Sequence, residues 1–173
     1  MQAGSAMNEG SDILLRQLGA QFPRLSTSAF RGQTRIVVPR DELLELLRPL
    51  KERFGFDMLV DLTCVDYLHH RDATDRFGLV YLLVQTESGR RLTVRVYVNE
   101  PDLSVPSVVS LWEGANWLER EVWDMFGIRF PGHPDLRRIL LPEQFTAHPL
   151  RKDYPLQGRG ERHNFPVLTR SQA

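Results

Sequence analysis

The C-terminal part of the sequence restricts the fold more than any other part. Six of the chain's eleven prolines lie between residues 131 and 166. Proline ends helices because it lacks an N–H and clashes with the preceding turn, and sheets tolerate it only at edges. Residues 128–173 are therefore expected to form an extended arm that contains neither a long helix nor a central strand.

Residues 12–127, in contrast, show regular hydrophobic periodicity. The leucine spacing in DELLELLRPLKERFG predicts a helix that Pro49 should kink or split. Residues 27–39 predict a hairpin, and residues 56–68, 76–85 and 91–98 predict an antiparallel meander. The expected fold class is α+β: a two-layer domain with a mainly antiparallel sheet packed by helices, followed by an extended C-terminal arm.

Two local patterns make more specific predictions. In residues 56–68, Met58, Val60, Leu62 and Cys64 alternate with polar residues, which predicts a half-buried strand with these four side chains facing inward. Asn116 and Glu119 have the spacing of a capping box at the start of a helix over residues 117–126, and Gly127 follows as its end.

Composition excludes several classes of protein. The 22 basic residues balance 22 acidic ones, so no global charge favours nucleic acid. The single cysteine excludes an internal disulfide and a cluster ligated only by this chain's cysteines. The longest aliphatic run, near residues 79–84, is far below the ~20 apolar residues that span a bilayer. Residues 1–11 lack the pattern of a secretory signal and are expected to be a flexible N-terminus.

Motifs for chemistry are weak. His133 and His148 lack the spacing of a zinc site, and His69 with His70 falls in a predicted turn. Cys64 lies among apolar strand positions and is expected to be an inert core thiol. Phosphate-binding glycine loops and nucleophile elbows have no match in the sequence. No catalytic, cofactor-binding or metal residue is therefore expected in this chain.

Charge is segregated along the chain instead. Residues 99–124 contain six acidic residues and one basic residue, whereas residues 129–170 contain eight basic and four acidic ones. Two interpretations remain open: the arm folds back and neutralises its own acidic helix, or it binds a partner. Apolar residues recur between the charges of the arm, and a purely disordered tail would be poorer in them.

The segment EREVWDMFGIRFPGHPDLRRILLP, followed by HPLRKDYPL, resembles the 30 kDa subunit family of respiratory complex I, also called the C subunit of NADH-quinone oxidoreductase. The upstream segments DLTCVDYL and RVYVNEPDLSVPSVVSLWEGANW agree with the same family. The resemblance implies a two-layer α+β domain whose arm wraps over the D subunit, the large subunit of the quinone site. It also implies a scaffold without a cofactor of its own, since NADH, FMN, iron–sulfur clusters and quinone belong to other subunits.

By this resemblance, the acidic helix and the arm form the partner interface. The quinone-site D subunit is the chief expected partner, and the B and I subunits are further expected neighbours. The chain is expected at the cytoplasmic face of the bacterial inner membrane, which it contacts only through the complex. The interface residues expected are Glu119, Arg120, Glu121, Asp124, His133, Asp135, Arg137, Arg138, His148, Arg151, Lys152, Asp153 and Tyr154.

Two alternatives to this function stay open. One is the equivalent subunit of a related membrane-bound hydrogenase or of a quinone oxidoreductase with another electron donor. The other is a metal-dependent hydrolase that uses His133 and His148. For the arm itself, we expect order from residue 129 onward to depend mainly on the partner.

Overall fold

The computed structural model describes residues 13–161. The N-terminus expected to be flexible and residues 162–173 of the arm lie outside this range. A helix that includes residues 13–21 (α1) comes first. The later elements are β1 (Ser26–Phe30), β2 (Gln33–Val37), α2 (Leu43–Glu52), β3 (Met58–Asp66), β4 (Phe77–Gln85), β5 (Arg90–Val98) and α3 (Ala115–Phe126).

The strands of the described residues form one sheet in the order β1-β2-β5-β4-β3. The pairs β1 with β2, β3 with β4 and β4 with β5 are antiparallel, and only β2 with β5 is parallel. The predicted hairpin and meander are therefore confirmed, and so is the α+β fold class. Strand β4, apolar on both faces, lies inside the sheet with a neighbour on each side.

The core lies between one face of the sheet and the helices. Leu43, Leu46, Leu47 and Leu50 of α2 are all 0% exposed and pack in one cluster with the inward side chains of the strands. Burial of each leucine stabilises the fold by roughly 2 kcal/mol. Cys64 belongs to the same cluster, where burial raises the pKa of its thiol to about 12.

Pro49 neither splits nor ends α2, which runs from Leu43 to Glu52. The prediction that it would split the helix is therefore wrong, because the proline falls in the last turns; the alternative of a kink stays a prediction. Pro49 has no N–H to donate to the carbonyl of Glu45, four residues earlier. Glu45 is exposed, so water can hydrogen-bond that carbonyl instead.

Strand β3 departs from simple alternation. Its pairing with β4 shifts between Leu59 and Asp61, which marks a β-bulge at Val60. A bulge adds one residue to the strand and reverses the facing of the residues before it. Leu59, Leu62 and Cys64 are buried, whereas Met58 and Val60 are about half exposed. The expectation that Met58 and Val60 face inward is therefore wrong.

The arm begins inside the core. Ile128 and Phe130 are buried with the sheet and helices. The backbone between them pairs with residues 103–107, through Arg129 N to Leu103 O at 2.8 Å and Val105 N to Arg129 O at 2.9 Å. The arm therefore stays in the core as far as Phe130, and Leu136 and Leu141 pack against the same core further along the chain. No helix within residues 13–161 is long and apolar enough to cross a bilayer.

Candidate partner interface

Helix α3 and the arm meet at Gly127. This glycine has φ of 81° and ends the helix by donating its N–H to Trp123 O at 2.8 Å. A Cβ at this position would lie 2.7 Å from Cδ2 of His148. Glycine is therefore needed here for two reasons: the left-handed backbone and the close approach of the arm.

Asp124 of α3 is the main anchor of the arm. Its carboxylate is 0% exposed and accepts the N–H groups of Ile139, Leu140 and Leu141 at 3.1, 2.8 and 3.0 Å. Burial opposes ionisation of Asp124, but the three N–H groups and the Arg138 guanidinium outweigh it and hold the pKa below its usual value. The arm thus surrounds a buried negative charge with its own backbone.

Arg138 joins the same anchor from the arm. Its guanidinium pairs with the Asp124 carboxylate and donates to Ala147 O at 3.2 Å. It also lies 5.6 Å from the ring centroid of Trp123 and 5.9 Å from that of Phe145. His148 reaches the backbone beside it, with Nδ1 3.0 Å from Asp124 O. Burial lowers the pKa of His148, which favours the neutral ring.

A second anchor lies at Asp66, the last residue of β3. Its buried carboxylate accepts the N–H of Lys152 at 2.8 Å and the N–H of Leu68 at 2.9 Å. Arg76 lies beside it and also pairs with Asp153 at 2.8 Å. Burial opposes ionisation of Asp66, but the bonds from Lys152, Arg76 and Leu68 lower its pKa.

Arg151 extends this second anchor. It pairs with Glu100 and Asp153, and both Arg76 and Arg151 lie over the ring of Phe77, at 4.7 and 5.2 Å from its centroid. The hydrogen bond from Arg151, followed by the one from Arg76, lowers the pKa of Asp153 despite partial burial. The arm is therefore tied to the ends of β3 and β4 at residues 151–153.

Glu119 is buried rather than at a partner surface. The side chain is 0% exposed, and its Oε1 accepts the N–H of Val108 at 2.6 Å. Burial raises the pKa of Glu119 to about 7. The predicted capping box is wrong, because α3 starts at Ala115 and no side chain caps it. Glu119 instead fixes the loop before its own helix.

The first part of the arm runs along α3. Arg120 donates to the carbonyls of Arg137 and Arg138 at 3.2 and 3.1 Å. His133 contacts Asn116 O through Nε2 at 3.1 Å, and its Nδ1 accepts the N–H of Asp135 at 3.0 Å. Backbone groups therefore occupy both nitrogens of His133. Within residues 13–161, no group of three or more His, Cys, Asp or Glu side chains is arranged to hold a metal ion.

The structure divides the expected interface residues into three sets. Glu119 and Asp124 are fully buried within the chain, so their placement on a partner surface is corrected: one holds a loop and the other holds the arm. The partly buried set is Arg120, His133, Arg138, His148, Arg151 and Tyr154. The exposed set is Glu121, Asp135, Arg137, Lys152 and Asp153.

The second anchor, formed by Asp66, Arg76 and Glu100, was not predicted from the sequence. One signal was present, because Asp66 continues the inward series of Leu62 and Cys64 along β3. A carboxylate at an inward position needs a buried partner. Its partners come from residues 76, 100 and 151–153, whose proximity only the folded chain reveals.

Comparison with known proteins gives one family. The sequence profile described as "Respiratory-chain NADH dehydrogenase, 30 Kd subunit" matches residues 36–160. The C subunit of NADH-quinone oxidoreductase from Moorella thermoacetica is 42% identical over 149 residues, covering 86% of this chain and 98% of the relative. The protein of the same name from Trichlorobacter lovleyi is 48% identical over 130 residues, covering 75% and 79%.

Two solved structures share the fold. The trypsin-resistant fragment of Nqo5 is 39% identical, with a TM-score of 0.67, and the match covers 73% of this chain and 99% of the fragment. A chain of the membrane-bound sulfane sulfur reductase, an archaeal respiratory membrane complex, is 25% identical with a TM-score of 0.73. That match covers 92% of this chain and 94% of the other.

Proposed function

The chain belongs to the family of the 30 kDa subunit of respiratory-chain NADH dehydrogenase, and we propose that it is a cofactor-free docking subunit of an NADH-quinone oxidoreductase. Electron transfer from NADH to quinone, coupled to proton translocation, is then a property of the assembled complex. In this proposal the NADH, FMN, iron–sulfur and quinone sites lie on other subunits.

The observation that carries the proposal is the orientation of side chains in the arm. Polar groups of the arm bind buried carboxylates of the body, whereas several of its apolar side chains face solvent. The guanidinium of Arg138 and the N–H groups of residues 139–141 and 152 turn inward to Asp124 and Asp66, while several leucines of the arm face solvent. Leu140 is 60% exposed, Leu150 is 51% exposed and Leu156 is fully exposed. Apolar side chains held outward on an anchored segment suit burial against another protein.

The chief partner in this proposal is the D subunit of the quinone site, with the B and I subunits nearby. Arg137 and Lys152 are exposed cations on the arm, and they can pair with carboxylates or carbonyls at the rim of such a contact. The protein would associate peripherally with the cytoplasmic face of the bacterial inner membrane, through the complex alone. No nucleic acid takes part.

The chain's similarity to the sulfane sulfur reductase supports a second candidate. A chain of that archaeal membrane complex matches 92% of this one. The same docking fold would then serve a membrane-bound hydrogenase or another complex with a different electron donor. Reconstitution with an NADH-oxidising donor module distinguishes the two candidates, because only the first gives NADH-dependent quinone reduction.

The test uses outward leucines of the arm. Leu140→Glu with Leu150→Glu should lower the amount of assembled complex on native gels about ten-fold or more, since each loss of ~1.4 kcal/mol is a factor of ten. Turnover per assembled complex should stay unchanged. Ile13→Glu, at an exposed position of α1, is the matched control.

Two results would contradict the proposal. Full assembly of the double variant would mean that the arm's outward leucines are not buried by a partner. Normal assembly with slow turnover would indicate a direct role near the quinone reaction.

A further inference from the structure

The sheet has a second face that the helices do not cover. Side chains of α1, α2 and α3 pack with the inward residues of the strands, and Val80, Leu82 and Val84 on the other side of β4 are not part of that cluster. We call the outward-facing side chains of β2, β3, β4 and β5 the open sheet face. The arm anchors at Asp66 and Asp124 belong to the helix-covered side.

The β3 half of the open sheet face is mainly apolar; its polar members are Asp61 and Thr63, which the register places opposite Leu82 and Val80. Met58, Val60 and Val65 are 49%, 48% and 39% exposed. The bulge at Val60 contributes to this exposure, because it turns Met58 outward. Apolar side chains gathered on one face, as opposed to scattered singly, are typical of a protein contact.

The other half, on β2 and β5, is cationic. The register places Arg35 beside Thr93, Arg95 beside Val80 and Arg91 beside Val84, so all three arginines share the outward face. None of the three is in an ion pair within residues 13–161, whereas Arg76 and Arg138 of the arm anchors are paired. The acidic residue that shares this face through its register is Asp61, opposite Leu82.

Arg95 is the arginine of this cationic half that carries an unsatisfied buried group. Its Nε is buried and has no hydrogen-bond partner among the described residues. With Tyr67 and Tyr97 it lines a groove of about 350 Å³, which Asp72 and Asp75 also border. A buried N–H without an acceptor costs free energy that an incoming carboxylate would recover. Tyrosine and arginine are also the residue types that most often dominate binding energy at interfaces.

We propose that the open sheet face is a second docking surface, separate from the arm, and that it binds a segment of a neighbouring subunit that carries acidic side chains next to apolar ones. An acidic side chain of that segment enters the groove and binds Arg95, while its apolar residues cover Met58, Val60 and Val65. This inference rests on the proposed function as a docking subunit.

A nucleic acid fits this face less well than a protein does. Phosphates would pair with Arg35, Arg91 and Arg95, but they would leave Met58, Val60 and Val65 against water. The chain as a whole is also neutral, with 22 basic and 22 acidic residues, which does not favour binding by counterion release.

The first test measures access to the face in the full-length chain. Met58→Cys introduces a thiol that a maleimide can label, while Cys64 is buried and its raised pKa keeps it unreactive. Labelling of Met58→Cys should slow about ten-fold or more in the assembled complex relative to the isolated chain. Glu45→Cys on the exposed side of α2 is the labelling control.

The second test measures how charge reversal on the open sheet face changes assembly. Arg95→Glu, and separately the exposed Arg91→Glu in case the first variant does not fold, should lower the amount of assembled complex about ten-fold or more. Arg16→Glu on α1 carries the same change of charge and should assemble normally.

The outcomes separate the two proposals. Failure of the wild-type chain to assemble contradicts the proposed function and this inference with it. Normal assembly with Met58→Cys still labelled at the free rate contradicts the inference alone. Protection of the label by a second copy of the isolated chain, or by a single-stranded oligonucleotide, also overturns it, as does normal assembly of both charge-reversal variants.

Discussion

The sheet layer and the arm are stabilised by different physics. In the sheet layer, many apolar side chains share the burial, and α2 alone contributes four leucines with no exposed surface. In the arm, residues 137–153 depend on two buried carboxylates, Asp124 and Asp66, that accept backbone N–H groups. Apolar burial is non-directional and spread over many atoms, whereas each carboxylate bond needs one atom in one place.

This difference implies that a substitution has a different structural consequence in each region. Loss of one leucine weakens a core that many others still hold together. Loss of one anchor carboxylate should release a whole segment, because the N–H groups of residues 139–141 depend on Asp124 and that of Lys152 depends on Asp66. A core change should therefore act on global unfolding, and an anchor change should act on the arm.

The largest expected effect is that of Leu46→Ala in α2. The side chain is fully buried, so its truncation removes apolar burial and leaves a cavity. The free energy of unfolding should fall by about 3 to 4 kcal/mol in urea denaturation. Leu44→Ala, at a partly exposed position of the same helix, should cost clearly less; an equal loss would contradict the account of the core.

Asp124→Ala should have the next largest effect. The N–H groups of residues 139–141 lose their acceptor and the partly buried Arg138 loses its partner, so we expect a loss of about 3 kcal/mol. Trypsin should also cleave faster after Arg138. Glu121→Ala, an exposed acid of the same helix, is the control and should change stability by less than about 0.5 kcal/mol.

Glu119→Gln should change the pH dependence of stability. The folded chain holds the Glu119 proton up to about pH 7, while the unfolded value is 4.5. Between these values the folded state binds more protons, so the wild-type chain loses stability as pH rises. Glutamine can still accept from Val108 but does not ionise. The variant should match the wild type near pH 4.5 and exceed it by no more than about 3 kcal/mol at pH 8.

The anchor carboxylates should give the opposite pH dependence in acid: the stability of the folded chain should fall as pH falls. The pKa values of Asp124 and Asp66 are lowered from 3.8, so their contribution is present above that value and is lost as pH falls below it. For the Glu119→Gln prediction above, the contradicting result is a variant whose stability still falls as steeply as that of the wild type between pH 4.5 and 7. That result would show that another group is responsible.

The smallest effect is expected for Arg137→Ala. Its side chain is 66% exposed and, within residues 13–161, pairs only with the exposed Asp135, so stability of the isolated chain should change by less than about 0.5 kcal/mol. Arg138→Ala should cost several times more, because that guanidinium joins the buried anchor. If both variants lost the same stability in thermal denaturation, the exposed Arg137 and the anchored Arg138 would contribute equally, and the account of the arm would be contradicted.

The sequence was sufficient to predict the hairpin, the meander and the end of α3, because periodicity and Gly127 report on local geometry. It did not predict the bulge at Val60, since no residue type there requires one. The burial of Glu119 had a signal, as helical spacing places it on the same side as Ala115 and Val122. The burial of Asp124 had none in α3, because the groups that cover it come from the arm.

Hydrogen exchange tests the central claim most directly: that the body holds the arm through Asp124 while the arm's outer side is left for a partner. In the isolated full-length chain, the N–H groups of residues 139–141 should exchange more slowly than those of the exposed Glu143, Gln144 and Thr146, and Asp124→Asn should speed exchange at 139–141 selectively. In the assembled complex, protection should extend over the rest of the arm. Rapid exchange at 139–141 in the isolated wild-type chain, or no change in Asp124→Asn, would contradict this account and indicate that the partner alone orders the arm.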